Sequence, residues 1–269
     1  MMERPWIVAS SIVCVGLLAP ASAFAQGRIA DNDWRHDSRP TDAETKNTMF
    51  AAELRFGPYW PQVDDEFSSA PGPYERVFGT GPQFYFGLEF DFMPLRIPYV
   101  GMIGPGFGWG YTATSAKALI SGTNTASQED TSLSIMPMHL SLVARFDELQ
   151  RRTGVPIVPY LKFGPALGVW NASTSEGTSV AGAGCTVDTP DAAGCTSGNG
   201  ITWGLNFAIG GMLSLNWLDP RSANLLAHEN DVAHAYLFGE WMDAVLTGFG
   251  ADAMHVGSST VVVGLAADF

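Results

Sequence analysis

Apolar and polar residues alternate along most of the chain from residue 50 onward. In residues 83–92, phenylalanine or leucine occupies every second position, and the positions between them hold Gln, Tyr, Gly, Glu and Asp. A helix would scatter those phenylalanines around its circumference, whereas a strand places them on one face. The pattern therefore predicts a β-strand, and the same period recurs in other segments.

Eight strands are predicted, beginning near residues 50, 83, 99, 131, 158, 201, 234 and 260. In the fourth strand the apolar positions change phase near Pro137, which predicts a bulge at that proline. The seventh, His234–Leu246, has no secure phase. Together these segments predict an all-β fold, an antiparallel β-barrel of eight strands.

The two faces of the predicted strands differ in a way that indicates a membrane protein. One face holds Phe, Leu, Ile, Val and Trp, and the other combines glycine with charged residues such as Glu89 and Lys162. That second face would make a poor core for a soluble barrel, because buried charges are costly. It suits the lumen of a transmembrane barrel in the outer membrane of a Gram-negative bacterium. A soluble periplasmic β-protein is the alternative.

The connections between strands alternate in length. Residues 60–80, 115–130 and 172–199 form long connections, and 93–98 and 147–155 form short ones. Long extracellular loops and short periplasmic turns or helices are therefore expected, including a helix from Asp147 that is stopped by Gly154. Aromatic residues near the strand ends predict an interfacial girdle. They are Tyr59, Trp60, Tyr99, Trp109, Tyr111, Trp170, Trp203, Trp217 and Trp241.

The first residues predict export. Residues 1–25 contain a basic start, a short apolar run and Ala23-Phe24-Ala25, which fits a signal-peptide cleavage site. A retained transmembrane helix is the weaker alternative, because the apolar run is shorter than the roughly 20 residues that a bilayer requires. The expected organisation is a signal peptide at 1–25, a polar periplasmic leader at 26–47 and an outer-membrane barrel at 48–269.

Net charge and cysteine content narrow the function classes. The chain carries a formal net charge of −13 and has no basic stripe, which argues against nucleic-acid binding. Beyond the signal peptide the cysteines are Cys185 and Cys195, in a loop rich in small residues. A disulfide is favoured in an oxidising compartment, with metal binding as the alternative.

The glycines at alternate positions of Gly104–Gly110 continue a strand and do not form a nucleotide loop, so no cofactor is expected.

Charged residues on the inner face are the strongest candidate for a functional constellation. Four acids and three bases make up this predicted lumen charge network: Glu53, Arg55, Glu89, Asp91, Arg145, Lys162 and Glu240. Because side chains nearly fill an eight-stranded barrel, the favoured interpretation is a plug of ion pairs. A proton or ion path is the alternative.

His139 is the histidine best placed to act as a general base. Ser141 shares its face, and Glu53 or Asp91 could approach to complete a Ser-His-acid set. These positions match no recognised enzyme motif, and a histidine satisfied within the lumen is the commoner situation. A non-enzymatic role is therefore favoured, and no catalytic residue is assigned.

Several strings carry a resemblance to a known family. They are Glu53-Leu54-Arg55-Phe56-Gly57-Pro58-Tyr59, Phe107-Gly108-Trp109-Gly110-Tyr111, Ile135-Met136-Pro137-Met138 and Glu240-Trp241-Met242. The chain from Phe50 to Phe269 resembles an uncharacterised family of myxobacterial outer-membrane β-barrel proteins, which implies a fold and a membrane but no activity. The terminal column Val261, Val263, Leu265, Ala267 and Phe269 also resembles the signal read by the barrel-assembly machinery.

The expected function is that of an integral outer-membrane barrel with a largely plugged lumen and a structural or surface-interaction role. A narrow, porin-like channel for small or hydrophobic solutes is one alternative, and a lipid-modifying enzyme is a weaker one. Expected partners are outer-membrane lipid and, during biogenesis, the assembly machinery; the loop at 172–199 is the best candidate for a surface contact, although its ligand is unknown.

Overall fold

The computed structural model describes residues 48–68, 70–120, 125–182, 185, 194–217, 232–250 and 253–269. The predicted signal peptide (1–25) and periplasmic leader (26–47) lie outside the described residues. No helix within the described ranges is both long and apolar enough to span a bilayer.

Eight long strands form the wall of the molecule. They are β1 (Phe50–Tyr59), β2 (Gln83–Phe92), β3 (Gly101–Leu119), β4 (Ala126–Arg145), β5 (Ile157–Thr174), β6 (Asn199–Ser214), β7 (His234–Leu246) and β8 (Ser258–Asp268). Each pairs antiparallel with its neighbours in sequence, and β8 pairs with β1, for example at Leu54 and Leu265. The sheet is therefore closed, which confirms the predicted eight-stranded antiparallel barrel.

Short elements occupy the connections. Helix α1 (Pro73–Phe78) follows β1, and helix α2 (Glu148–Thr153) follows β4. Helix α2 ends as expected at Gly154, whose φ of 71° is the left-handed conformation that glycine adopts readily. Shorter pieces complete the set: 3-10 turns at Val63–Glu66, Leu215–Trp217 and Gly248–Gly250, and strands at Leu95–Ile97, Gly177–Thr178, Val180–Ala181 and Thr196–Ser197.

Apolar side chains cover the outside of the barrel, and polar ones face inward. On β2, Phe84 is 68% exposed and Phe90 59%, whereas Glu89 and Asp91 are buried. A water-soluble barrel has the opposite arrangement, and large exposed aromatics on every other position are stable only against lipid. The structure is therefore that of a transmembrane barrel of the outer-membrane type.

Strand seven, whose phase the sequence left open, has a regular alternation. Tyr236, Phe238, Glu240 and Met242 are buried in the lumen, and Leu237 and Trp241 between them are exposed. The inner face of β7 is therefore largely apolar, so both faces carry aromatic or aliphatic residues. That similarity explains why periodicity could not phase it.

The predicted bulge at Pro137 is wrong. Register between β3 and β4 is constant from Met102 opposite Arg145 to Lys117 opposite Asp130, and the irregularity lies between Lys117 and Leu119. Leu133 and Ile135 face inward because the lumen becomes apolar toward its extracellular end. The apolar positions of β4 therefore change phase because its inner face changes from polar to apolar. The backbone pairing continues through Pro137 without a bulge.

The predicted long loop at 115–130 is also largely strand. β3 continues to Leu119 and β4 begins at Ala126, so the two strands form a long hairpin. This stretch is rich in Ser, Thr and Ala, which occur both in loops and in solvated strands. Composition alone therefore suggested a loop.

Candidate functional site

The inner face of the barrel brings the predicted charges together. The seven side chains of the lumen charge network come from five strands, and each residue is at most 2% exposed: Glu53, Arg55, Glu89, Asp91, Arg145, Lys162 and Glu240. On β1 and β2 they lie between apolar residues, with Ala51 and Met93 at the periplasmic end and Tyr59 and Tyr85 at the extracellular end. The network is a buried polar layer between two apolar layers.

Arg145 binds three carboxylates near the periplasmic end. Its Nη2 lies 2.8 Å from Asp91 Oδ2 and 3.0 Å from Glu53 Oε1, and its Nη1 lies 2.8 Å from Asp268 Oδ1. A guanidinium can serve several acceptors at once because its donors are fixed in a planar fork. Arg145 therefore joins β1, β2, β4 and β8.

Lys162 is the second centre of the network. Its Nζ lies 2.7 Å from Glu53 Oε2, 3.0 Å from Glu89 Oε2 and 3.8 Å from Glu240 Oε2. Because Glu53 contacts both Lys162 and Arg145, the two centres are directly connected.

Arg55 completes the network through ion pairs with Glu89 and Glu240. The hydroxyl of Tyr160 also donates to Glu240 Oε2 over 2.8 Å. An unbroken series of contacts thus runs from Asp268, near the periplasmic end of β8, through Arg145, Glu53, Lys162 and Glu89 to Arg55.

Asp268 is a member of the network that was not predicted from the sequence. It is 2% exposed and takes part in the Arg145 centre. The signal was available, because Asp268 alternates with the outward column that ends at Phe269 and must therefore face inward. With Asp268 the network has, among the described residues, five acids and three Lys and Arg residues, so the near balance of charge expected from the sequence becomes an excess of acid.

Glycines on β3 make space for these side chains. A Cβ at Gly106 would lie 2.3 Å from Asp91 Oδ1, and one at Gly108 would lie 2.2 Å from the His139 ring. Both distances are far below van der Waals contact. The alternating glycines of this strand therefore give the lumen room, in agreement with their interpretation as strand residues.

His139 and Ser141 do not form a catalytic pair. The His139 Nε2 lies 3.4 Å from both Glu89 Oε2 and Arg55 Nη1. Ser141 Oγ is buried and makes no hydrogen bond within the described part of the chain. The acid that contacts His139 is thus Glu89, and not Glu53 or Asp91 as considered from the sequence. A hydrolytic set requires contact between nucleophile and base, so this geometry does not support one.

A loop segment covers part of the extracellular mouth. Val256 is buried against Leu246 and beside Gly168, and its carbonyl accepts a hydrogen bond from the Tyr59 hydroxyl. Another carbonyl on this segment, that of Met254, accepts from Thr202 Oγ1 over 2.7 Å. Residues 253–257 are therefore fixed to four strands, β1, β5, β6 and β7.

Two members of the predicted aromatic girdle, Tyr59 and Trp170, face inward. Trp170 packs against the buried apolar cluster. Tyr59 belongs to that cluster. It is fully buried inside the mouth, whereas Trp203, Trp217 and Trp241 face outward as expected. Its phase on β1 is that of Glu53 and Arg55, so period two already placed it on the inner face.

The remaining predicted residues lie away from the lumen. Cys185 and Cys195 form the expected disulfide, with their Cα atoms 5.7 Å apart. Val261, Val263 and Leu265 are exposed on the outer face of β8, and Phe269 follows them at 41% exposure. No cluster of three or more His, Cys, Asp or Glu residues in the described ranges is placed to hold a metal ion.

No protein-family model and no curated protein sequence matches the chain. Among solved structures it is similar to Ail, the attachment invasion locus protein of Yersinia pestis, in complex with the heparin analogue sucrose octasulfate. That likeness has 10% identity and a TM-score of 0.40 and covers 82% of this chain and 99% of Ail. The N-terminal β-barrel domain of Pseudomonas aeruginosa OprF gives 9% identity, a TM-score of 0.37 and coverage of 83% and 100%. The outer membrane protease OmpT from Escherichia coli has 7% identity and a TM-score of 0.35, and the likeness covers 84% of this chain and 100% of OmpT.

Proposed function

We propose that this protein is a closed outer-membrane barrel with a structural or surface-interaction role, and that it does not conduct solutes through its lumen. The observation that carries the proposal is the lumen charge network. Its members, with Asp268, are at most 2% exposed and are joined by direct ion pairs. An aqueous path would hydrate such side chains, and an eight-stranded barrel has little interior volume beyond them.

The extracellular mouth supports the same function. Residues 253–257 are fixed across one side of the opening, and Val63, Tyr74 and Phe78 from the connection after β1 pack against the same apolar cluster. Asp64 fixes that connection by accepting hydrogen bonds from the backbone N–H groups of Tyr74 and Glu75, at 2.8 and 2.7 Å. An ordered extracellular surface of this kind is suited to contact with a partner.

Single-channel recording tests the proposal. The refolded protein, inserted in a planar bilayer, should show no discrete conductance, and a porin inserted under the same conditions serves as positive control. Stable conductance steps from the intact protein would instead favour the narrow channel.

The biogenesis that we propose follows the sequence expectations. Residues 1–25 direct export, and the outward column on β8 is read by the barrel-assembly machinery. Support comes from the exposure of that column on the lipid face, where an assembly factor can contact it before the barrel closes. N-terminal sequencing of the protein from outer membranes tests the first part, since cleavage before Gln26 is expected.

A further inference from the structure

Basic residues outside the lumen are concentrated at the periplasmic end of the barrel. Among the described residues, five Lys and Arg residues lie outside the lumen charge network, and three of them, Arg96, Arg151 and Arg152, belong to the periplasmic connections that follow β2 and β4. The other two, Arg76 and Lys117, lie at the extracellular end among a larger number of acids. In a chain with a net charge of −13, a cationic patch at one end indicates an anionic partner on that side.

The three periplasmic guanidinium groups lie around one carboxylate. Arg152 Nε donates to Glu148 Oε1 over 2.7 Å, and the pKa of the Glu148 carboxyl is lowered from its ordinary value by that hydrogen bond and by the charges of all three arginines. Arg96 Nη1 pairs with Oδ2 of Asp147, the neighbour of Glu148 in the chain, at 2.9 Å. Three positive charges thus meet two negative ones, which leaves this periplasmic cluster with an excess of one positive charge.

Arg151 and Arg152 are accessible within the periplasmic cluster. Arg151 is exposed and forms no ion pair with another described residue, and the Arg152 side chain is 55% exposed although it contacts Glu148. Exposed guanidinium groups bind phosphate through paired hydrogen bonds, because their donors are fixed in a planar fork. A phosphate group can therefore reach both side chains without displacing a buried contact.

Tyr99 occupies a backbone position that glycine normally fills. Pro98 and Tyr99 are the central residues of a turn in which the Val100 N–H donates to the Ile97 carbonyl over 3.1 Å, and the φ of Tyr99 is 67°. This conformation is unfavourable for a residue with a side chain. The tyrosine ring is 75% exposed, and the Arg152 Cζ lies 4.3 Å from its centroid. The strained turn thus presents an aromatic ring that supports Arg152.

Exposed apolar residues indicate that this cluster lies at the membrane interface. Leu95, Leu149 and Val155 are 56%, 44% and 41% exposed and belong to the same two connections. Exposed apolar side chains beside tyrosine and arginine are typical of the level of the lipid headgroups, where the apolar part contacts acyl chains and the polar part contacts water and phosphate. The cationic cluster therefore faces the headgroups of the periplasmic leaflet.

We propose that the periplasmic rim binds the headgroup of an anionic phospholipid through Arg151 and Arg152, with Tyr99 holding Arg152 in place. The headgroup phosphate compensates the excess positive charge of the cluster. A zwitterionic phospholipid has the same phosphate but carries its own cation, so it should bind more weakly. The inference rests on the location in the outer membrane that the proposed function assumes, and not on the closed lumen.

Native mass spectrometry of the refolded protein tests the site. The protein in detergent is titrated with dioleoylphosphatidylglycerol or with dioleoylphosphatidylcholine, and the fraction that carries one lipid gives the dissociation constant for each. We expect phosphatidylglycerol to bind about fivefold more tightly, since one positive charge near an anionic headgroup contributes about 1 kcal/mol. Equal dissociation constants for the two lipids would overturn the proposal.

Charge variants of the cluster should act in opposite directions. Arg151→Gln removes the excess charge and should abolish the preference for phosphatidylglycerol, whereas Glu148→Gln raises the excess to two and should enlarge the preference to about 25-fold. Arg76→Gln is the matched control, because Arg76 is an exposed arginine of α1 at the other end of the barrel. It should keep the full preference. Equal losses in Arg151→Gln and Arg76→Gln would mean that only the net charge of the protein matters, and would contradict the site.

Tyr99→Gly separates a binding role from a structural one. Glycine adopts the positive φ of this turn without strain, so the unfolding midpoint, read from the heat-modified band on a denaturing gel, should not fall. The variant lacks the ring that supports Arg152, so the preference for phosphatidylglycerol should fall about twofold, the effect of an exposed cation–π contact. A lower midpoint with an unchanged lipid preference would remove Tyr99 from the site.

Failure of this site and failure of the proposed function give different results. If the two lipids bind equally and insoluble peptidoglycan retains the wild type but not Arg151→Gln, the lipid site is wrong and the rim binds the cell wall instead. Conductance by the intact protein would contradict the closed lumen and leave the lipid site unaffected.

Discussion

Glu53 and Lys162 meet inside the barrel at 2.7 Å, although their strands, β1 and β5, lie on opposite sides of the eight-stranded ring. The two residues are 109 positions apart in the chain. The other oxygen of Glu53 contacts Arg145 on β4 at 3.0 Å. The interior therefore joins opposite walls directly, and the barrel depends on its charged layer as well as on its backbone pairing.

Replacing Lys162 should destabilise the protein strongly. Lys162→Met removes the cation shared by Glu53, Glu89 and Glu240 and leaves their charges buried, which typically costs about 3–5 kcal/mol. Urea unfolding of the protein in lipid vesicles, followed by tryptophan fluorescence, measures the loss. The control is Lys117→Met: Lys117 pairs with Asp130 at 2.8 Å on the exposed hairpin, where a pair contributes about 1 kcal/mol or less. Similar losses in both variants would contradict the central role of Lys162.

The carboxylates of the network should differ in importance. Glu53→Gln removes a charge that contacts two cations, whereas Asp268→Asn removes one that contacts a single cation, Arg145, besides the Tyr236 hydroxyl, and that belongs to a layer with excess acid. We expect Glu53→Gln to lower the free energy of unfolding by about 2 kcal/mol more than Asp268→Asn, close to the contribution of one buried charged hydrogen bond. The same urea titration compares the two isosteric variants. A larger loss for Asp268→Asn would show that the network centres on Arg145 and not on Glu53.

The glycine of β3 beside His139 provides a test of lumen packing. Gly108→Ala would place a methyl group 2.2 Å from the His139 ring, and overpacking of this kind typically costs about 1–3 kcal/mol. Gly211→Ala is the matched control, because Gly211 also lies within a strand but a Cβ added there would have no other atom within 4 Å; its effect should stay within about 0.5 kcal/mol. The folded fraction after refolding, read from heat-modified migration, distinguishes them.

A second substitution separates a local clash from a general effect on the strand. Gly108→Ala combined with His139→Ala removes the group that the new methyl contacts. The double variant should therefore fold better than Gly108→Ala alone. If it folds no better, the cost of the alanine lies elsewhere on β3.

Much of the architecture could be predicted because period two is imposed by backbone geometry. Phe84 and Glu89 occupy opposite phases of one strand, so their opposite environments follow from spacing alone. The errors arose where side-chain chemistry was taken as a marker of the face. Leu133 and Ile135 are apolar but face inward, because the upper lumen is itself an apolar core. An inner face that changes from charged to apolar along its length has no constant signature in sequence.

The residues of the lumen charge network could be predicted from the sequence, but the contacts between them could not. Inward phase identifies Glu53, Glu89 and Lys162, yet nothing in their spacing specifies that Lys162 contacts both acids. Those contacts depend on strand tilt and register around the ring, which set the height of each residue. Asn206 was likewise visible as an inward polar residue, but its lack of a hydrogen-bond partner among the described residues is a property of the folded lumen.

Phe269 provides a test of assembly that is separate from stability. It lies 41% exposed on the lipid face, following Val261, Val263 and Leu265. If this column is what the assembly machinery reads, Phe269→Ala should reduce the folded protein in outer-membrane fractions several-fold while signal-peptide cleavage is unchanged. Phe90→Ala is the matched control, because Phe90 is a lipid-facing phenylalanine of β2 with 59% exposure. It loses the same kind of lipid contact but should assemble normally, and equal defects in the two variants would mean that Phe269 acts only as lipid-facing surface.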